Sequence, residues 1–249
     1  MGDSGSMLIG LVLAAGAISV TGQVDPDAMK NETKRKFENK EESTPHEQHQ
    51  HHRHWEPGPY HRRAGGNTVE VMGRDHSKSA DLAKALGGGA TTGEWGAVPA
   101  GDIVIVALLF DGVVPAVAHY GDALAGKVIV DISNPFNSTF DGLAHREVTS
   151  IAQEVAKVAP AGASVVKGFN TVFRHVLENG RPDVFIAGDN AQAKAGVEAF
   201  IKSLGMRPMD AGGLEMAHWL EGAGVLTMGL ARHGVGGWDF ALGVTELPA

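Results

Sequence analysis

From about residue 64 onward, two hydrophobic periods alternate along the chain. The run "DIVIVALLF" (102–110) is apolar at every position after its first, as a strand buried on both faces is, and "KVIVDISNP" (127–135) reads as another buried strand. "NTVEVMGRD" (67–75), "ASVVKGFNT" (163–171), "DVFIAGD" (183–189) and "RPMDAG" (207–212) read as further short strands. Between them the period lengthens. "SKSADLAKALGGG" (77–89) places Leu82, Ala83 and Leu86 on one helical face, with glycine just past its end. "GVVPAVAHYGDALAG" (112–126), "REVTSIAQEVAKVAP" (146–160) and "NAQAKAGVEAFIKSLG" (190–205) also read as helices, and "LEMAHWLEGAGVLTMGLARHG" (214–234) as a closing one. This alternation predicts an α/β fold: a doubly wound, mainly parallel sheet with helices on both faces. A ligand is then expected beyond the carboxyl ends of the strands, where the strand order reverses.

The front of the chain differs. "MLIGLVLA" (7–14) is apolar and of strand length, and residues 8–13 are the expected first strand, placed between "TVEVM" and "DIVIV". A signal peptide is the alternative, although "MGDSGS" ahead of it carries no positive charge. A second alternative makes residues 1–62 foreign or rearranged sequence, with the standard first strand lost. Residues 25–62 are polar, mixed in charge and poor in aliphatic side chains, so they are expected to pack poorly as a flexible insertion or linker. The expected organisation is 1–24 (first strand and glycine turn), 25–62 (insertion) and 63–249 (nucleotide-binding domain with a C-terminal helix). Six histidines fall at positions 46, 49, 51, 52, 54 and 61. Their spacing defines no closed metal site, and no metal is expected. The sequons at Asn31 and Asn137 are short enough to arise by chance.

Composition narrows the chemistry. The chain has 249 residues, a net charge of −8 and no cysteine. The charge argues against a nucleic-acid partner. No apolar run reaches the roughly 20 residues that span a bilayer. A cytoplasmic location and a small-molecule partner are expected, with a homodimer left open.

Two places bear on a nucleotide. Ala14, Gly16 and Ser19 occupy the key places of a degraded G-x-G-x-x-G turn, a weak signal in an alanine-rich run. After the second strand, Arg74 offers a guanidinium to a 2′-phosphate, with Ser77 and Lys78 at the next helix start. Asp75 comes one place too late for the usual ribose contact. These residues favour NADP(H) over NAD.

"VEVMGRDHSKSADLAKALG", "DIVIVALLF", "GKVIVDISNPFN", "VVKGFNTVF", "DVFIAGDNAQAKAGVEAFIKSLGMRPMDAG" and "LEMAHWLE" follow one another in an order that resembles the deazaflavin-dependent NADP oxidoreductases and their NADPH reductase relatives, over about residues 64–235. The resemblance implies a Rossmann-type fold, NADP(H), and hydride exchange with a deazaflavin, flavin or other small redox acceptor. It places Gly73, Arg74 and Lys78 at the 2′-phosphate, and Leu108, Leu109 and Phe110 along the cofactor. It places Asn134 and Pro135 beside the nicotinamide, and Lys167, Asn170 and Thr171 in the reaction cleft. The chain departs from the family at the front, where Gly16 lies 58 positions before Arg74 instead of about 20. Hydride transfer by positioning needs no catalytic acid or base, and none is assigned. The alternative is an NADP-binding protein without turnover, its phosphate turn being degraded.

Overall fold

Ile103–Ala107 (β4) is buried at every position, and its side chains serve two cores. Val104 and Val106 enter one apolar cluster, while Ile103 and Ile105 enter another on the opposite face. Val128–Asp131 (β5) and Ser164–Gly168 (β6) divide in the same way, Ile129 and Val165 on the first side, Val130 and Val166 on the second. A strand covered on both faces is apolar over most of its length, and here the exceptions are Ser164, which opens β6, and Asp131 and Lys167 near the carboxyl ends of β5 and β6.

The computed structural model describes residues 17–21, 67–144 and 149–247. The described strands form one sheet in the order β3-β2-β1-β4-β5-β6-β7-β8. The remaining strands are β1 (Ala17–Thr21), β2 (Val69–Gly73), β3 (Thr91–Glu94), β7 (Asp183–Ala187) and β8 (Arg207–Asp210). β1 to β6 run parallel in the doubly wound order, so the sequence-based fold class holds. The order reverses between β1 and β4, which fixes the switch point.

The first strand is corrected. The place between β2 and β4 is taken by Ala17–Thr21, with Ser19 opposite Val71 and Ile105. The expected strand at 8–13 lies outside the described residues, as do the insertion at 25–62 and the histidine tract. Ser19 therefore sits inside a strand and not in a phosphate turn.

The helices are α1 (His76–Leu86), α2 (Phe110–Tyr120), α3 (Ile151–Val158), α4 (Arg174–Asn179), α5 (Ala191–Ser203) and α6 (Ala217–Arg232). Their starts follow capping chemistry: Ser150 accepts from the Gln153 N–H ahead of α3, and Asn190 from the Ala193 N–H ahead of α5. α1 ends on Gly87 at φ 60°, a conformation glycine adopts without strain. α2 and α3 cover the first core, and α5 covers the second.

β7 breaks the parallel pattern. It pairs with β6 antiparallel through Lys167–Ala187 and Gly168–Ile186 only. Asp183, Val184 and Phe185 thus continue past the carboxyl end of β6 and raise that side of the sheet. β8 pairs parallel with β7. Arg207 of β8 grips Asp183 with two bonds of 2.6 Å, and the Val244 N–H donates to the same carboxylate at 2.7 Å. The Arg207 contact holds the Asp183 carboxyl below its ordinary value of 3.8. A lowered folded pKa gives stability that is complete above the unfolded value and is lost as pH falls through the folded one. Asp183→Asn is therefore expected to flatten the acid limb of a stability–pH curve below about pH 4. Urea midpoints measured across that range check it, and parallel acid limbs in parent and variant contradict it.

Candidate functional site

The cofactor side begins where β2 ends. Gly73 is buried, and the next residue, Arg74, is exposed. Asp75 caps α1, accepting from the Ser77 N–H (3.0 Å), the Lys78 N–H (3.3 Å) and the Ser77 hydroxyl (2.7 Å). The Ser77 hydroxyl, foremost among these, pulls the Asp75 carboxyl below its usual range. The Lys78 ammonium lies 3.9 Å from the same carboxylate, a weak surface pairing. Asp75 is thus turned into its own helix. The Arg74 guanidinium instead lies 5.0 Å from the centre of the Trp95 ring.

At the switch point β4 leads through buried Leu108 to exposed Leu109, whose extended backbone opens α2 without a side-chain cap. Phe110 is the first residue of α2 and is half-buried. The first N–H groups of this helix therefore lack a side-chain acceptor at its cap position.

The ends of β5 and β6 are tied by a buried charge cluster. The Lys167 ammonium donates to Asp131 (2.8 Å), to Glu221 on α6 (2.8 Å) and to the Ser133 carbonyl (2.6 Å). Lys167, Asp131 and Glu221 are each fully buried. Asp131 also accepts from the Ser133 N–H and hydroxyl, and Glu221 from the Ile151 N–H that opens α3. Two carboxylates face one ammonium, and burial raises the Glu221 carboxyl above its ordinary value. Its second oxygen has no partner among the described residues. Lys167 therefore fastens the sheet to α6 and does not face an open cleft as expected.

Beyond this cluster the loops after β5 and β6 interlock. The Asn134 amide donates to the Asn170 carbonyl (2.7 Å), and the Asn170 amide donates to Asn134 Oδ1 (2.8 Å) and the Leu220 carbonyl (2.8 Å). Pro135 is buried beside them. Asn170 Oδ1 and the Thr171 hydroxyl are buried without a partner among the described residues. α6 comes close enough because residue 224 is glycine: a Cβ there would meet Asn134 Oδ1 at 2.7 Å. Gly224→Ala is accordingly expected to cost about 1–3 kcal/mol of stability by overpacking. Chemical denaturation measures it, and an unchanged midpoint would show that the Asn134 loop yields freely.

Asn134, Asn170 and Thr171 are thus brought together with Lys167 close behind, and Arg74 and Leu109 follow β2 and β4, the two strands that flank β1. Ala14 and Gly16 lie outside the described residues. Asp131, Glu221, Trp95 and Gly224 were missed in the sequence. A carboxylate closing an otherwise apolar strand, as in "VIVD", was the available signal for Asp131. Among the described residues no cluster of His, Asp and Glu could hold a metal ion, and no helix is long and apolar enough to cross a membrane.

A family model described as NADP oxidoreductase, coenzyme F420-dependent, matches residues 61–135. The metalloreductase STEAP3 of Rattus norvegicus is 33% identical over 160 residues, covering 63% of this chain and 31% of the relative. The F420-dependent NADP reductase of Methanocaldococcus jannaschii is 28% identical over 139 residues, covering 52% of this chain and 62% of the relative. The chain thus spans a third to three-fifths of the length of these curated relatives. Among solved structures, an imine reductase from Myxococcus stipitatus in complex with NADP+ shares the fold, with a TM-score of 0.53, 16% identity, and coverage of 88% of this chain and 62% of that one.

Proposed function

We propose, from the premise that the chain belongs to the coenzyme F420-dependent NADP oxidoreductase family, matched at residues 61–135, that it is an NADPH-dependent oxidoreductase acting on a deazaflavin, flavin or other small redox acceptor. The observation that carries the cofactor choice is the pair Arg74 and Asp75. The acidic side chain nearest the ribose position is consumed by the cap of α1, and the basic one stands exposed at the end of β2. This arrangement fits a 2′-phosphate and lacks the carboxylate that a 2′-hydroxyl needs.

NADPH, when bound, supplies a hydride to the acceptor. The chain's own part is to bind and orient. Arg74 would hold the 2′-phosphate, and the N-terminus of α2 would face the cofactor across the switch point. Asn134 and Asn170, locked to each other and to α6, would fix the nicotinamide end. Lys167 is bound to two carboxylates and so is not placed as an acid. Positioning is then the main source of rate.

The test is oxidation of NADPH against a panel of deazaflavin, flavin, quinone, imine and ferric chelate. Turnover with one of them supports the reading. Binding without turnover on any favours a nucleotide-binding protein instead, and failure to bind NADPH removes both.

A further inference from the structure

The residue whose ring lies against Arg74 falls between the segments "VEVMGRDHSKSADLAKALG" and "DIVIVALLF". Trp95 stands in the turn after the edge strand β3, and its ring lies under the Arg74 guanidinium at 5.0 Å. The ring is held from several sides. Tyr120 of α2 meets it edge-on at 5.2 Å, and the His119 ring stacks on it at 6.0 Å. Tyr120 in turn reaches the Met72 sulfur on β2, two residues before Arg74, at 4.0 Å. The turn itself is pinned at both ends: the Ala97 N–H donates to the Glu94 carbonyl, and the Ala100 N–H to the Glu70 carboxylate of β2 at 2.9 Å. Gly96 sits at φ +87°, and a Cβ there would lie 2.9 Å from His119 Nε2, so glycine keeps the turn closed on the stack.

An exposed arginine otherwise spends its time among many rotamers, and fixing it on binding a phosphate costs entropy. A guanidinium already lying on a rigid indole has met much of that cost before the ligand arrives. We propose that Trp95 is a positioning residue for dinucleotide specificity, pre-setting Arg74 to meet a 2′-phosphate. This rests on the NADP reading above, and it adds a residue that itself need not touch the cofactor.

Isothermal titration of NADPH and NADH into the full chain tests it, using Trp95→Phe, Trp95→Leu, Arg74→Ala and the double variant Trp95→Leu/Arg74→Ala. Trp95→Leu keeps apolar bulk but removes the π face. It is expected to weaken NADPH binding about two- to fivefold while NADH binding is unchanged. Trp95→Phe should retain most of the parent's preference. In the double variant, loss of Trp95 should add nothing to loss of Arg74. A parent preference for NADPH that Arg74→Ala abolishes and Trp95→Leu leaves intact overturns the proposal alone. Equal losses for NADPH and NADH in Trp95→Leu also overturn it, since they mark a merely structural role. A parent with no preference for NADPH overturns the cofactor reading and this proposal together.

Discussion

Lys167→Met is expected to lower the unfolding free energy by about 3–5 kcal/mol, the cost of leaving buried carboxylates without their counter-charge. The methionine fills most of the volume, so the loss is electrostatic. Asp131 keeps its two bonds from Ser133, and Glu221 keeps the Ile151 N–H, but no cation remains between them. The variant should also acquire a pH signature. The Glu221 carboxyl, already raised by burial, loses its counter-charge and takes up a proton more readily, so its folded pKa rises further. Stability is then retained at low pH and lost as pH climbs above the ordinary carboxylate range, where the deficit against the parent should grow. Urea unfolding at several pH values measures this. A deficit below about 1 kcal/mol, or one independent of pH, would mean that water reaches the cluster and that α6 is not held by charge.

Arg74→Ala carries the second large effect, on affinity. Removing one charge-assisted contact to a phosphate weakens NADPH about 10- to 150-fold and should leave NADH where it was. The stability of the fold should hardly change, because Arg74 is exposed and its neighbour Asp75 supplies the cap of α1 without it. Titration of both nucleotides, with a thermal melt alongside, checks the two halves separately. If both nucleotides weaken alike, Arg74 serves a contact common to them and the 2′-phosphate assignment fails.

The two outcomes reflect how differently parts of this chain could be read in advance. β4 was plain because a strand covered on both faces is apolar at every position, and β5 departs from that only at Asp131, its last residue. β3 went unseen: "TTGE" has no apolar period, and it becomes a strand only by pairing with β2 at the sheet edge. The six-residue α4 and the reversal of β7 went unseen for similar reasons, since neither a short helix nor a strand's direction leaves a local mark. The leucine-rich 8–13 is the more apolar run, yet the central pairing falls to Ala17–Thr21, in which Ile18, Val20 and Thr21 are residue types of high strand propensity. Arg74, Asn134 and Asn170 could be named as candidates because they stand after strands within recognisable segments. Glu221 could not. It meets Lys167 from 54 positions away, and only the completed packing of α6 makes that partnership.

The central place of β1 bears on how the chain reaches this fold. Ala17 pairs with Val69 on one side and Ile103 on the other, so the middle strand is closed by the longest stretches of chain among the parallel pairs. At equilibrium this matters little, since each doubling of a loop costs only about 0.6 kcal/mol. Kinetically it matters more. Until β1 inserts, β2 and β4 face each other as open edges, each able to accept a strand from another molecule. Refolding yield should therefore fall with protein concentration, and light scattering should rise in the same interval in which the last β-sheet signal develops.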